Sequence, residues 1–447
     1  MKFPRIPPEW PRIISEAAKK GRVLALLEAS REEAGRADRY LHWDELRHKG
    51  GSGEVTAEEL WAGLKMGRVG KAQPISLLNE EGVPFTFFLT QEMFQSLHEI
   101  DLSSGGAVSV PVEARTRDTR DRYYVSSLIE EALSSSQLEG AVVTRSEAKE
   151  MLRSKRKPRN SHERMVVNNF LTMQMLEGIR DRDLTPELIM EIHRRISEGT
   201  LEKPEDEGRL RTQDDGVRLV DEETGEVMYT PPPAEQLPDR LEKLCAFAND
   251  HEMTGYLHPA IRSILLHFWL AYEHPFVDGN GRTARALFYW SMLRHGFWLF
   301  EFVSISHVLV KAPKKYYRSF LHTETDGNDL NYFLIHQMRT LLAAMEGLHS
   351  YIARKKGKVD ELRKLLSPGC GLNHRQLALV RHALSNGSAV YTVESHRTSH
   401  RIAVQTARTD LEGLRSKGLL VRSKLGNAFR YRPDSEIGKK LKELPEC

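Results

Sequence analysis

Apolar residues recur at helical spacing along most of the chain, and this pattern predicts a mainly α-helical protein. The segments with this periodicity are residues 13–35, 56–66, 123–139, 165–179, 186–198, 258–273 and 283–294, and another helix resumes near residue 237. Short β-like runs are present at residues 84–89, 217–220 and 227–230. The last two runs flank a glycine-containing turn, so they predict a β-hairpin flap, which ends at three consecutive prolines.

The C-terminal part of the chain has a different order of elements. Its pattern predicts helices at residues 375–384, 394–402 and 405–417, a short strand at 390–392, and two β-like runs around residues 425–427. This order is typical of a winged helix-turn-helix. The predicted domains are a small N-terminal α/β region of unknown role at 1–105, a helical domain with the flap at 106–345, a linker at 346–371, and the winged helix domain at 372–435.

Composition narrows the class of protein. At 447 residues the chain is too long for a single core, and its net charge of +3 does not by itself predict a polyanionic partner. The three cysteines form no CxxC pair, which argues against a disulfide framework or a zinc ribbon. The N-terminal residues lack the apolar core of a signal peptide, and no stretch is long and apolar enough to predict a membrane span. We therefore expect a cytoplasmic protein without a membrane partner.

The main candidate site is the stretch 274–285. Its Gly-Asn-Gly segment, residues 279–281, falls where one apolar helix ends and the next begins. Glycines allow a nest of backbone N–H groups, and the N-terminus of the following helix adds further donors, so this segment can bind an anion. Arg282 and Arg285 are three positions apart on that helix, and we expect both to reach over the nest. Because arginine binds phosphate through two donors at once, the pair suits a polyphosphate.

Two further residues of the stretch complete the predicted chemistry. Asp278 enters the same space, and a carboxylate next to a polyphosphate implies a bridging divalent cation, with Mg²⁺ the expected metal. His274 lies just before the loop, where a neutral imidazole could accept the proton of an attacking hydroxyl. The residues alone therefore indicate phosphate chemistry with a histidine base.

The stretch His274–Arg285 resembles the Fic-family motif, His-Pro-Phe-x-(Asp/Glu)-Gly-Asn-(Gly/Lys)-Arg-x-x-Arg. The resemblance extends upstream to His258-Pro259 and His267, and downstream to Tyr316-Tyr317, and it covers about residues 107–345. It implies a Fic-type helical core and the transfer of AMP from ATP to a Ser, Thr or Tyr hydroxyl of a protein, with pyrophosphate released.

The resemblance also implies a role for each residue of the motif. It makes His274 the general base and Asp278 the ligand of Mg²⁺. The residues that it implies for ATP binding are Gly279, Asn280, Gly281, Arg282, Thr283, Arg285, Tyr316 and Tyr317. Among these, the two arginines would bind the outer phosphates and the two tyrosines would lie near the adenosine pocket.

A second motif precedes the first along the chain. Ser135, Glu139 and Gly140 resemble the inhibitory motif of the family, Ser/Thr-x-x-x-Glu-(Gly/Asn). A carboxylate at Glu139 that paired with Arg285 would occupy the γ-phosphate site and hold the enzyme inactive. Two other interpretations remain open: the glutamate is a solvated residue, or it orients a water molecule that removes AMP.

Two surfaces are candidates for macromolecular partners. The flap residues Val227, Met228, Tyr229 and Thr230 form the predicted edge for pairing with an extended target segment, either of another protein or of this protein itself. In the C-terminal unit the predicted DNA-reading residues are Gln405, Thr406, Arg408 and Thr409, on a helix whose apolar face holds Val404, Ala407, Leu411 and Leu414. Residues 391–432 contain nine Lys or Arg and three Asp or Glu.

Two functions follow from these surfaces. The first is an autoinhibited protein adenylyltransferase. The alternative is a DNA-binding regulator whose Fic domain senses a nucleotide. Winged helices also dock proteins or dimerise, so a homodimer is a third possible role for the C-terminal unit.

Overall fold

The structure is a computed structural model that describes residues 2–35, 40–49, 55–104, 117–154, 156–221, 224–250, 255–365, 371–385, 389–425 and 428–442. The chain divides into two compact units, residues 1–346 and 347–447, each of which is described by itself.

The first unit is mainly helical, with two short β-hairpins. Its N-terminal elements are α1 (Trp10–Lys19), α2 (Val23–Ala34), α3 (Trp43–Leu46), α4 (Ala57–Val69), β1 (Gln73–Leu78), β2 (Pro84–Phe87) and α5 (Gln91–Ser104). The elements that follow are α6 (Arg117–Leu138), α7 (Arg145–Ser154), α8 (Ser161–Ile179), α9 (Pro186–Ser197), β3 (Leu219–Val220), β4 (Val227–Tyr229), α10 (Leu237–Ala248), α11 (Pro259–Glu273), α12 (Asn280–Arg294), α13 (Ser306–Leu309), α14 (Pro313–Thr325) and α15 (Asn331–Leu365). Both hairpins, β1–β2 and β3–β4, are antiparallel.

The paired helices α11 and α12 lie at the centre of this unit. Their sequences are apolar on nearly every face, which is the pattern of a helix surrounded by protein. Phe268 and Trp269 on α11 and Phe288, Tyr289 and Trp290 on α12 are each at most 1% exposed. Helices α6, α8, α9 and α10 pack around the pair, so the loop that joins α11 to α12 is held on a rigid base.

The first helical segment differs from its prediction. The sequence pattern predicts one helix at 13–35, but the chain turns after α1, where Gly21 has a φ of +66°. Leu24, expected on the apolar face, is 75% exposed. The prediction was wrong because the broken apolar pattern belongs to two helices, α1 and α2, which both pack on α4.

The N-terminal region is part of the first unit and does not form a compact unit of its own. The Lys65 Nζ atom lies 2.7 Å from Asp326 Oδ1, and the Tyr40 hydroxyl donates to Asp329 Oδ2 at 2.5 Å. The Asn331 side-chain amide donates to the Phe88 carbonyl at 2.7 Å. These contacts join the N-terminal elements to the turn between α14 and α15. The expected boundary near residue 105 lies at the edge of residues 105–116, which are outside the described part of the chain.

The predicted linker begins inside a helix. Residues 346–365 continue α15, and the division between the two units falls within this helix. The basic run at residues 354–358 misled the prediction, because lysine and arginine are good helix formers even where no apolar stripe is present.

The second unit has the predicted order of elements. It contains α16 (His374–Ser385), α17 (Val393–His400), α18 (Val404–Ser416), the antiparallel hairpin of β5 (Leu420–Leu425) and β6 (Ala428–Pro433), and α19 (Ile437–Lys442). The strand predicted at 390–392 is a single bridge between Tyr391 and Tyr431. The core includes Val380, Leu411 and Leu414, whereas Val404, expected in the same apolar face, is 51% exposed at the start of α18.

Throughout the described ranges, no helix combines the length and the apolar composition that crossing a bilayer requires.

Candidate active site

The loop between α11 and α12 is fixed by its own side chains. The Phe276 backbone N–H donates to Asn280 Oδ1 at 2.9 Å, and Asn280 Nδ2 donates back to the Phe276 carbonyl at 2.7 Å. Phe276 is fully buried and anchors the loop in the core. Asn280 was predicted to cradle phosphate; its side chain instead closes the loop, which leaves only its backbone N–H for an anion.

His193 on α9 packs against the loop between α11 and α12. The sequence did not predict this role. Its ring stacks on Phe276, with centroids 3.6 Å apart and an angle of 2° between the ring planes. The Gly208 N–H donates to Nδ1 at 3.0 Å, so the proton lies on Nε2, which donates to the Asp278 carbonyl at 2.8 Å. Burial lowers the pKa of His193 to about 4, and the ring is neutral at pH 7. His193 lies 85 positions before Asp278 in the sequence, so no local sequence pattern indicated the contact.

The two glycines of the loop serve different purposes. Gly279 has a φ of +83° and precedes α12, so this position needs the conformational freedom of glycine. Gly281 lies inside the first turn of α12 and needs space instead. A Cβ atom at Gly281 would lie 2.3 Å from Glu139 Oε1 and 3.1 Å from Arg285 Nη1.

Arg282 points to a different side of the loop from the one expected. Its side chain is fully buried, with Nη2 3.3 Å from Asp278 Oδ2 and Nη1 3.4 Å from the Ile196 carbonyl. Thr283 is buried too, and its hydroxyl donates to the Gly279 carbonyl at 2.9 Å. The residues expected to bind phosphate thus include two that hold the loop together.

Asp278 offers a single carboxylate to a cation. Its side chain is 56% exposed and accepts from its neighbour, the Gly279 N–H, at 2.6 Å. Within the described residues, no group of three or more His, Cys, Asp or Glu side chains could hold a metal ion. This donor set fits Mg²⁺, because that ion commonly takes one or two carboxylates and completes its shell with water and substrate phosphates.

His274 ends α11 in the left-handed region, with a φ of 47°. Its Nδ1 atom lies 3.2 Å from the Ala271 carbonyl, which can only accept, so Nδ1 carries the proton and Nε2 keeps a free lone pair. Burial lowers the pKa of His274 to about 4, although the charge of Glu139 acts in the opposite direction. The ring is therefore neutral at pH 7 and able to accept a proton.

Arg211 holds the backbone of His274 and was also missed. Its Nε donates to the His274 carbonyl at 2.8 Å, and its Nη2 donates to the carbonyls of Pro232 at 2.5 Å and Glu273 at 3.3 Å. Its backbone N–H donates to the Pro275 carbonyl at 2.8 Å. Arg211 thus connects the segment before β3 and the prolines after β4 to the backbone of His274. The polar, turn-rich sequence around Arg211 gave no sign of this burial.

Arg285 is paired with the second motif. Its Nη2 donates to Glu139 Oε1 at 2.8 Å and to the Ser135 carbonyl at 3.0 Å, while its Nε donates to the Ser135 hydroxyl at 2.8 Å. The guanidinium is buried, and the Glu139 side chain is 20% exposed.

Gly140 ends the helix that carries this motif. Its φ is +85°; its N–H donates to the Gln137 carbonyl, and the next N–H, of Ala141, donates to Ser136. This is a Schellman ending. It fixes Glu139 as the first residue beyond α6, on the side that faces α12.

A cavity of about 570 Å³ opens between the loop, the flap and α14. Its walls combine catalytic candidates, flap residues and aromatic side chains. The lining includes His274, Gly281, Arg285, Glu139, Tyr316, Tyr317, Met228, Tyr229, Tyr272, Lys314, Phe320, Leu321 and Glu324. Asp278, Gly279, Asn280, Arg282 and Thr283 are not part of this lining.

The two tyrosines occupy different positions. Tyr316 is buried, and its hydroxyl lies 2.9 Å from His267 Nε2. Tyr317 is 37% exposed, and its hydroxyl donates to the Leu138 carbonyl at 3.2 Å. Tyr316 therefore forms part of the cavity wall, and Tyr317 lies at the rim of the cavity next to the end of α6.

The flap is the hairpin β3–β4. Val227 is 48% exposed and Thr230 is exposed beyond the end of the strand, whereas Met228 and Tyr229 face the cavity. The Tyr229 hydroxyl donates to the Tyr272 carbonyl at 2.5 Å, which ties β4 to α11. The strand is one residue shorter than the predicted segment 227–230.

In the second unit, α18 exposes most of the residues predicted to read DNA. Gln405, Arg408 and Thr409 are exposed, and Thr406 is half-buried. Arg422 on the hairpin is paired with Glu412, with Nη1 and Oε1 2.8 Å apart.

Comparison with known proteins gives concordant findings. A family model described as Fic/DOC family matches residues 183–292. The chain is 34% identical over 128 residues to the protein adenylyltransferase fic-1 of Caenorhabditis elegans, covering 29% of this chain and 23% of that protein. It is 36% identical over 121 residues to the protein adenylyltransferase Fic of Nematostella vectensis, covering 26% of this chain and 25% of that protein. The chain thus spans about a quarter of the length of these relatives.

A solved structure extends the similarity to the fold. The chain is similar to a Fic family protein from Desulfovibrio desulfuricans G20, with a TM-score of 0.52 and 18% identity. The superposition covers 78% of this chain and 97% of the other. This likeness confirms the predicted mainly helical core.

Proposed function

Residues 183–292 form a domain of the Fic/DOC family, and from this premise we propose that the protein is an adenylyltransferase that moves AMP from ATP to a hydroxyl group of a protein. The observation that carries the proposal is the shared cavity. His274, the Gly281 backbone and Arg285 line one space of about 570 Å³, with Tyr316 as part of its wall. A base, an anion site and an aromatic surface are what a nucleotide and an attacking hydroxyl require.

The reaction follows from the protonation state of His274. Its free Nε2 accepts the proton of a Ser, Thr or Tyr hydroxyl of the target. The hydroxyl oxygen bonds to the α-phosphorus of ATP, and the bond to the bridging oxygen breaks, so pyrophosphate leaves. Arg285 binds the outer phosphates, and the N–H groups at the start of α12 stabilise the charge on the oxygens.

Asp278 is the residue that would hold Mg²⁺. When bound, the ion neutralises phosphate charge. Arg282 keeps the Asp278 carboxylate in place from its buried position, at 3.3 Å. In this structure Arg282 therefore contributes to the loop and to the position of the metal ligand.

The pairing of Glu139 with Arg285 supports an autoinhibited state. Arg285 cannot bind a γ-phosphate in the same geometry while its Nη2 is bonded to Glu139 Oε1 at 2.8 Å. The carboxylate also fills the space above Gly281 that an anion would enter. Both effects disfavour ATP binding, so removal of the Glu139 side chain is expected to activate the enzyme.

Mass spectrometry of the intact protein tests the proposed function. The chain with Glu139→Gly is incubated with ATP and Mg²⁺, and we expect it to gain one or more adenylyl groups, whereas the double variant with His274→Ala gains none. Equal adducts in the two variants would overturn the assignment of His274 as the base, and no adduct in either would count against adenylyl transfer itself. Equal adducts in wild type and Glu139→Gly would overturn the brake.

Removal of AMP is a second activity that the same glutamate could support. In that direction Glu139 orients a water molecule toward the phosphorus. Adenylylated Glu139→Gly protein serves as the substrate, and wild-type protein with Mg²⁺ is expected to release AMP from it. The Glu139→Gly protein alone is the control.

The second unit supports a DNA-binding function as the alternative. The favouring observation is that Gln405, Arg408 and Thr409 form an exposed face of α18 next to a basic hairpin. Fluorescence anisotropy with a duplex from the upstream region of its own gene tests this function. Binding that falls steeply as salt rises from 50 to 200 mM, and that weakens in Arg408→Ala, is expected for contacts to phosphates and bases. The absence of salt-dependent binding would favour protein docking or dimerisation.

A further inference from the structure

Glu324 contributes a carboxyl group to the flap side of the cavity. It lies at the C-terminal end of α14, next to the last residue of the helix, Thr325. Tyr229 on β4 and Tyr272 on α11 line the same cavity. After burial, a negative charge at Glu324 is the largest influence that raises the pKa of both phenols. The carboxyl therefore lines the same cavity as the strand expected to pair with a target.

This carboxyl has no cationic partner in the part of the chain that the structure describes. No described residue donates a hydrogen bond to Glu324 or forms an ion pair with it. Lys314 lines the cavity too, but ten residues away on α14, about 15 Å along the helix axis. Arg240, the cation near Tyr272, is bonded to Glu273 at 2.5 Å.

The surroundings of Glu324 all disfavour its negative charge. The C-terminus of a helix carries partial negative charge, and Glu80 on the turn between β1 and β2 adds a second carboxylate. Burial, followed by the charge of Glu80, raises the pKa of Glu324 to about 8. An unpaired carboxyl group in these surroundings destabilises the folded protein unless a cation binds it. Titratable groups with shifted pKa values that lie in clefts are often part of binding sites.

The wall next to Glu324 suits the stem of a long basic side chain. Phe320 and Leu321 precede it on α14, and together with Met228 of β4 they line the same cavity. Lysine and arginine lay their aliphatic carbons along such apolar surface and keep only the charged end for a carboxylate. An extended segment added to β4 would direct every second side chain toward the cavity.

We propose that Glu324 forms a subsite that selects target segments in which a lysine or arginine flanks the modified hydroxyl. The proposal rests on the proposed function, because the segment is the protein substrate of AMP transfer. It adds the class of that substrate: a basic extended segment, held by β4 on its backbone and by Glu324 on its side chain.

A peptide library tests the subsite. The full chain with Glu139→Gly is given radiolabelled ATP, Mg²⁺ and synthetic peptides with a central Ser, Thr or Tyr, in which each flanking position in turn is Lys, Gln or Glu. We expect the Lys peptides at one flanking position to be labelled about tenfold faster than the Gln peptides, since a charge-assisted bond contributes about that factor. Glu324→Gln should remove the preference, and Glu324→Lys should turn it toward Glu. Glu242→Gln, at an exposed position on α10, is the control and should keep the preference for Lys.

The outcomes separate this inference from the proposed function. The same preference in all variants, or self-labelling without labelling of any peptide, would overturn the subsite and leave adenylyl transfer intact. No label on the enzyme or on any peptide would overturn the proposed function itself. Purified Glu324→Gln is expected to fold at least as well as its parent, because the amide keeps the shape of the side chain and cannot take the negative charge that this place disfavours.

Discussion

Arg285 and Glu139 form an ion pair across the start of α12, with Nη2 and Oε1 2.8 Å apart. The two residues come from different helices and are separated by 146 positions in the sequence. Arg285 is buried, so its positive charge needs an anionic partner, which is Glu139 in this structure. Under the proposed function, activity would depend on whether Glu139 or a substrate phosphate holds this guanidinium.

Ser135→Ala should weaken the brake without abolishing it. The substitution removes the hydroxyl that accepts from Arg285 Nε at 2.8 Å but leaves the backbone carbonyl that accepts from Nη2. We expect automodification to rise by roughly tenfold, the effect of one hydrogen bond to a charged group, and to stay below that of Glu139→Gly. Ser136→Ala is the matched control, because its hydroxyl donates to the Ala132 carbonyl and does not contact Arg285. A larger rise in Ser136→Ala than in Ser135→Ala would contradict the assignment.

Arg211→Met should lower the rate of transfer more than the affinity for ATP. The variant loses the bonds to the carbonyls of His274 and Pro232, so the base is no longer fixed. In the Glu139→Gly background we expect kcat to fall by at least about tenfold, since small displacements of a base are costly, while the Kd for ATP changes little. Arg209→Met is the control, because Arg209 pairs with Asp206 and Asp215 and does not contact the loop. Partial recovery of kcat in Arg211→Lys would support a role of Arg211 in positioning His274. Equal losses of kcat in Arg211→Met and Arg209→Met would argue for a general effect on the flap.

The rate of transfer should depend on pH as expected for a buried base. His274 must be neutral to accept a proton, and burial lowers its pKa to about 4. In the Glu139→Gly variant kcat/KM is therefore expected to stay level from pH 8 to about pH 5 and to fall only as the pH approaches 4. Because the charge of Glu139 raises the pKa of His274, its removal is expected to shift the decrease in kcat/KM to a still lower pH. A midpoint near 6.5 would show that the ring is exposed to solvent in the active state.

Glu324→Gln should stabilise the protein increasingly as pH rises. The folded protein keeps the Glu324 proton up to about pH 8, whereas the unfolded chain releases it near 4.5. Between these values the unfolded state loses a proton that the folded state retains, so the wild-type protein loses stability with rising pH. The difference in Tm between Glu324→Gln and wild type should therefore grow from pH 5 to pH 8. Glu242→Gln is the control for loss of one carboxylate, and a constant difference for Glu324→Gln would contradict the burial of this group.

The sequence predicted best what lies close together along the chain. The resemblance to the Fic family rests on twelve consecutive residues, and the family model confirms it over residues 183–292. The long apolar helix before the loop, α11, was predicted to within one residue, because its apolar pattern and His-Pro start are local signals.

Contacts between distant segments could not be predicted in the same way. His193 and Arg211 support the loop from α9 and from the start of the flap, and neither stands in a recognisable motif. The different partners of Arg282 and Arg285 were missed because spacing on a helix says which residues are neighbours but not which partner each of them meets. Glu139 was the exception, since the inhibitory motif carried its own sequence signature.

Under the proposed function, the position of Glu139 just beyond the last residue of α6 would make its carboxylate an intramolecular competitor of ATP at constant concentration. A tethered carboxylate faces Arg285 at an effective concentration set by geometry, which for short connections is in the millimolar range or above. This competition would lower the apparent affinity for ATP by a fixed factor. The ATP concentration that half-saturates the site would therefore be higher, and any change that lengthens or loosens the turn at Gly140 would shift that concentration without touching the catalytic residues.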